Sequence, residues 1–248
     1  MKPLYFFCFF LVLVSCKKVD RTLTKITAKT IAIDSTIESS KEIDHIIAPY
    51  KEKLIGEMEK VLSYTPKDIT KQSFAMQSSL GNLMADMCFE MGASIFKEKT
   101  NTTIDFALFN YGGLRATIAA GKVTKEQAFK LMPFENELVV VNLTGKKVVE
   151  LINYFIKNKK AHPLSKSIAL HIKENEFNLK INDKKFDNNK TYNVLTSDYL
   201  QGGGDKMNFF KNPEKLTKLE YKVRDAILDY FEKVDTLTTT IDKRVTID

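Results

Sequence analysis

The stretch that most limits what this chain can become runs from Thr103 to Phe134. Thr103 to Asn110, TIDFALFN, is a short, largely apolar run that reads as a buried strand. The six residues at its end, Asn110-Tyr111-Gly112-Gly113-Leu114-Arg115, put an amide, two glycines and a guanidinium into one turn. A strand ending this way belongs in a layered fold with its polar heads at the rim, where small-molecule sites are built. Gly112 and Gly113 allow positive φ and a close approach of backbone to a bound group. Arg115 offers a planar, always-charged fork suited to phosphate or carboxylate. The same residues also suit an ordinary tight turn.

Around this stretch the elements alternate in type. Lys25 to Ile33, KITAKTIAI, alternates apolar and polar residues as a strand does. Ile43, Ile46, Ile47, Tyr50, Leu54, Ile55, Met58, Val61 and Leu62 fall at helical spacing, with Pro49 marking a start or a bend. Ser78 before Leu80, Leu83, Met84, Met87 and Met91 is a helix-start signal. Thr124-Lys125-Glu126-Gln127 is a capping box for a helix through Leu131 that stops at Met132-Pro133-Phe134. Glu137 to Leu143 reads as a strand, and Thr144-Gly145 leads into a helix carrying Val148, Leu151, Ile152 and Phe155.

Ser167 to Ile181 reads as two strands around Glu174-Asn175, and Tyr192 to Ser197 as a further buried strand. That last strand ends in a second glycine loop, Asp198 to Asp205, containing Gly202, Gly203 and Gly204. A helix is expected from about Leu219 to Val234, and an edge strand in the tail. Interleaved strands and helices with some adjacent strand pairs predict an α/β or α+β single domain with a mixed sheet. A length of 248 residues with 44% hydrophobic and 28% charged residues supplies ample core.

Residues 1 to 15 read as a secretory leader, with a basic start and an apolar run from Leu4 to Val14 too short to span a bilayer. Leu13-Val14-Ser15-Cys16 resembles the bacterial lipobox, which implies cleavage before Cys16, lipidation of its thiol and a bacterial cell-envelope location facing periplasm or exterior. A plain signal peptide or short anchor is the alternative. Residues 16 to 24 then form a tether and 25 to 248 the domain. Cys88, among Met84, Met87, Phe89 and Met91, reads as a buried core thiol. The net charge of +7 is spread along the chain without an Arg-rich run, so nucleic acid is not expected as a partner.

Self-contained hydrolytic centres are missing from the pattern. His45, His162 and His171 stand in no metal-ligand spacing, and there is no GxSxG elbow, CxxC pair or phosphate loop. No cofactor is expected in this chain. What remains is a pair of loops, each with an aromatic close by, Phe134 beside the first and Tyr199 on the second. Two aromatics can clamp a flat ring, Asn110 can read a ring edge with its paired donor and acceptor, and Asp205 can accept both hydroxyls of a ribose. Equally, the aromatics can be core residues and Asp205 a turn residue.

Four segments carry a family resemblance: Ser78 to Asp86 (SSLGNLMAD), Asn110 to Arg115 (NYGGLR), Gly121 to Ile152, and Tyr192 to Asp205 (YNVLTSDYLQGGGD). Together they resemble the C-terminal, substrate-binding domain of bacterial and animal 5'-nucleotidases, in order from about Lys25 to Val245. The resemblance implies a four-layer α/β/β/α arrangement whose loops grip a nucleoside. It implies that Phe134 and Tyr199 stack on the base, Asn110 meets its edge, Asp205 binds the ribose, and Arg115 faces ribose or phosphate. Gly112, Gly113 and Gly203 belong to the same two loops.

Two departures stand out. The family's catalytic half is a metallophosphoesterase domain with two metal ions, and no room for it is found between Cys16 and Lys25. A phosphate-binding arginine usual before the SSLGNL-like segment is replaced by Lys71-Gln72-Ser73-Phe74-Ala75-Met76-Gln77. The resemblance therefore implies nucleoside or nucleotide recognition with a separately encoded metallophosphoesterase supplying two divalent metals, and a weakened phosphate grip. A non-enzymatic interaction or structural lipoprotein that keeps the fold without ligand is the other reading.

Overall fold

The structure, a computed structural model, describes residues 22–174 and 176–248. The leader and the lipidation site at Cys16 lie outside the described residues. Two units are distinguished, one ending at Ala48 and one running from Pro49 to Asp248.

In the first unit the alternation at Lys25 to Ile33 predicts a strand, and the structure has none there. Ile26, Ile31 and Ile33 are exposed. A lone extended segment has no ladder to join, and alternation without a partner stabilises nothing. Helix α1 (Lys41–Met58) begins ahead of Pro49, which lies inside it, and none of its residues is buried. Val61 and Leu62, expected as its end, instead open strand β1 (Val61–Thr65).

The second unit is built on strand β4 (Glu137–Thr144), whose β-branched run is buried on both faces as the centre of a sheet requires. It pairs antiparallel with β8 (Thr191–Ser197) and with β9 (Lys215–Lys222). Strand β2 (Phe106–Ala107) lies parallel to β8, so the sheet order is β2-β8-β4-β9. The helix α4 (Gly145–Asn158) packs Val148, Leu151, Ile152 and Phe155 inward, making its contacts with β4 and β8. Helix α2 (Ser79–Thr100) meets β2 and β9, with Gly92 set against Leu195 and Leu219. The single turn α5 (Asp198–Gln201) follows β8 directly, and helix α6 (Val223–Lys233) packs against α2.

A second four-stranded sheet has the order β10-β5-β6-β7. Its hairpin β5 (Ile168–Lys173) and β6 (Glu176–Ile181) pairs Ile168 with Ile181 and Leu170 with Leu179, all buried. The tail adds β10 (Val245–Ile247) parallel to β5, and the two-residue β7 (Lys184–Lys185) closes the other edge. Buried Arg244, just before β10, donates to Asp242, Asp86 and the Leu164 carbonyl. A small antiparallel pair, β1 with β3 (Gly121–Thr124), leads into α3 (Lys125–Leu131). The mixed α/β fold is that expected, and Cys88 is fully buried.

Two further expectations change. Of Thr103 to Asn110 only Phe106 and Ala107 are strand, although Ile104 and Phe106 through Phe109 are buried. The helix expected from Leu219 is strand up to Lys222, because the open edge of β4 takes that segment as a ladder partner. A bulge at Glu220, φ 56°, accompanies the register shift, between buried Leu219 and half-buried Tyr221.

Candidate functional site

Topology brings three loops to one edge. Strands β2 and β8 are parallel, so the loops that follow them, from Asn110 and from Asp198, leave on the same side. Strand β4 is antiparallel to β8, with Leu138 opposite Ser197, so the turn before β4 that holds Phe134 opens there too. Strand β9 ends at the same edge, its Lys222 opposite Glu137, and delivers Val223 at the start of α6. Carboxyl ends of strands in open α/β sheets are where such crevices form.

The result is a cleft of about 270 Å³ lined by Asn110, Gly112, Gly113, Arg115, Phe134, Tyr199 and Asp205, with an apolar floor that includes Met84 and Phe109. Phe134 is 39% exposed and Tyr199 47%, so both are wall residues and neither is core. Gly203 does not line the cleft; its φ of 90° shapes the second loop behind it. The first loop corrects the reason for its glycines. Residues 111–113 form a 3₁₀ turn and neither Gly112 nor Gly113 has positive φ. A Cβ on Gly113 would stand 2.8 Å from the Asn110 side-chain oxygen, so the glycine makes room for that amide.

Asp205 is the centre of the polar network. Its carboxylate accepts from Asn110 Nδ2 at 2.7 Å and from the Tyr199 hydroxyl at 3.0 Å, and its carbonyl accepts from the Tyr154 hydroxyl at 2.8 Å. The bond to Asp205 raises the pKa of the Tyr199 phenol, keeping it a donor. Arg115 projects toward the cleft with its guanidinium 5.8 Å from the Phe134 ring centre, and no carboxylate pairs with it among the described residues.

Three supporting residues were not legible in the pattern. His162, 4% exposed, accepts the Tyr111 N–H on Nδ1 at 3.0 Å, so its neutral ring carries the proton on Nε2, which has no partner. Burial pushes its pKa down to about 4. Lys71 donates to the Leu114 carbonyl at 2.7 Å and stands 3.9 Å over the Tyr111 ring, and burial and the neighbouring Arg115 both lower its pKa. Lys71 thus places a second cation beside Arg115. Tyr154 reaches in from α4. Each lies in a stretch whose local pattern says only helix face or polar loop.

Residues 55–212 match the family model described as 5'-nucleotidase, C-terminal domain. The chain belongs to this family. The relatives include a 5'-nucleotidase-related protein of Glossina morsitans morsitans, 26% identical over 88% of this chain, and protein UshA of Escherichia coli, 24% identical over 83%. Among solved structures, a 5'-nucleotidase precursor from Thermus thermophilus is 19% identical, with a TM-score of 0.67 over 82% of this chain and 42% of that one. At that identity the likeness speaks for the fold. The chain spans 43% and 37% of the lengths of the Glossina and E. coli relatives.

Proposed function

We propose that this chain is a nucleoside- or nucleotide-recognition domain, lipid-anchored through Cys16 in the bacterial envelope, that works with a separately encoded metallophosphoesterase. The observation that carries the reading is the cleft itself, which holds two half-exposed aromatic walls, an amide and a carboxylate on three converging loops. A base would lie between Phe134 and Tyr199, with stacking worth about 1 to 3 kcal/mol. An ionised carboxylate has about four acceptor positions, so Asp205 can keep Asn110 and Tyr199 and still accept two ribose hydroxyls. Arg115, with Lys71 beside it, faces the end where a 5'-phosphate would leave the cleft.

Among the described residues no three His, Cys, Asp or Glu side chains stand together as a metal site. Water activation and charge neutralisation at the phosphoryl group would be supplied by two divalent cations held in the partner. This chain's share is to hold the nucleoside in one orientation, so that the phosphate meets that centre without a search.

Calorimetry of the purified protein with adenosine, AMP, inosine and 2'-deoxyadenosine tests the reading. Binding is expected, weaker for the deoxy compound because Asp205 loses a hydroxyl partner. Arg115→Ala is expected to weaken AMP more than adenosine. No binding of any of them at millimolar concentration by the folded protein, with the phosphoesterase partner also present, would leave the interaction-lipoprotein reading standing.

A further inference from the structure

We infer that Arg224 is a positioning residue for the cleft, holding the turn that presents Phe134 so that its ring stands at one angle to the ligand. Arg224 lies in the first turn of α6 and is buried, at 8% exposure. Its Nη1 reaches the carbonyl oxygens of Met132 at 3.4 Å and Phe134 at 3.3 Å, and its Nη2 pairs with Glu135. The guanidinium also lies 4.4 Å over the ring of Phe129 in α3. One side chain therefore grips both sides of the Pro133 turn and the helix before it. Its neighbours hold the same turn: the Val223 N–H donates to the Asn136 carbonyl at 2.9 Å, and Lys222 pairs with Glu135.

Stability alone does not account for the arrangement. The guanidinium is buried with its Nε unpartnered, and an apolar side chain of similar volume often serves stability as well or better. What a guanidinium adds is a rigid fork that fixes several oxygens in relation to one another. The cleft needs this, because Phe134 is 39% exposed and that part of its surface has no packing to hold it, while binding geometry tolerates little error. Bonds from Lys222 and Arg224 hold the Glu135 carboxyl down to a pKa of about 2, so the grip persists across ordinary assay conditions. Fixing of the ring is independent of the ligand's identity; the effect on affinity rests on the nucleoside reading above.

The chain contains no tryptophan, so Phe134→Trp places a single indole on this wall of the cleft, excitable at wavelengths where tyrosine does not absorb. In that background, Arg224→Met is expected to lower the indole's steady-state anisotropy and increase its quenching by acrylamide, with Arg224→Lys in between. Unchanged anisotropy and quenching in a folded Arg224→Met protein overturns the inference. Should that variant not fold, Glu135→Gln removes a partner from the exposed side and is expected to shift both readings the same way; no shift overturns it equally. In the native sequence, Arg224→Met is expected to raise the Kd for adenosine about fivefold or more, the lower range of lost base stacking. In a Phe134→Ala background it is expected to add nothing, and equal losses in both backgrounds count against action through Phe134. If the wild type binds no adenosine, the nucleoside reading falls, and the fluorescence measurement still decides the role of Arg224.

Discussion

Asp205 has a φ of 52°, a left-handed conformation that costs a residue other than glycine about 1 to 2 kcal/mol. Bonds from Asn110, Tyr199 and Tyr154 offset that cost and leave the carboxylate aimed into the cleft. Tyr199→Ala is expected to remove a stacking surface and one of these bonds, a loss of about 1 to 3 kcal/mol or roughly five- to 150-fold in nucleoside Kd. Tyr199→Phe, keeping the ring, should lose less by calorimetry. Gly204→Ala belongs with the first of these, since its Cβ would stand 2.4 Å from the Tyr199 ring and push it off Asp205. His162 gives a prediction in pH. Its folded pKa of about 4 lies below the ordinary histidine value of 6.5, so between those values the unfolded chain binds a proton that the folded chain refuses. Stability from this group is therefore lost as pH falls through that window, by at most about 1.4 kcal/mol per pH unit. His162→Asn retains an acceptor for the Tyr111 N–H and does not titrate there. Urea unfolding at pH 7 and pH 5 should show the wild type losing more stability than the variant; equal losses would remove His162 from the account.

At the scale of elements, what could be read ahead is what is settled within a turn or two of chain. Ser78 caps α2, its hydroxyl accepting the Gly81 N–H at 3.0 Å, and the Thr124 and Gln127 box starts α3 as expected. The hairpin β5–β6 and the strands β4 and β8 likewise follow from alternation and composition. Ser78→Ala is expected to cost about 1 kcal/mol of stability, read by thermal or urea unfolding, because a buried helix start loses its acceptor. A variant as stable as wild type would mean that water reaches that N–H. Strand β9 was not legible, because the residues from Leu219 onward satisfy a helical spacing and only the open edge of β4 makes them a strand to Lys222. The segment from Lys25 to Ile33 shows the converse, a strand pattern with no edge to join.

For the whole molecule, the function proposed depends on loops from distant parts of the chain meeting at one sheet edge, and on chemistry supplied from elsewhere. The purified protein with Mn²⁺, Zn²⁺ or Mg²⁺ alone is expected to release no phosphate from AMP above a buffer blank; metal-dependent release that copurifies with the protein and disappears in Arg115→Ala would overturn this. Labelled palmitate is expected to enter the wild type and not Cys16→Ser, with equal labelling of both pointing to a plain secreted protein. By itself the sequence determined the family, the starts of α2, α3 and α4, the central strands and the cleft residues on its two glycine loops, since caps, alternation and loop motifs act over a few neighbouring residues. Only the tertiary structure decided that Arg224 holds the Phe134 turn and that His162 and Lys71 brace the Asn110 loop. Those contacts join residues such as Arg224 and Met132, 92 positions apart, and a side chain's partner at that separation is chosen by how strands pair and helices pack.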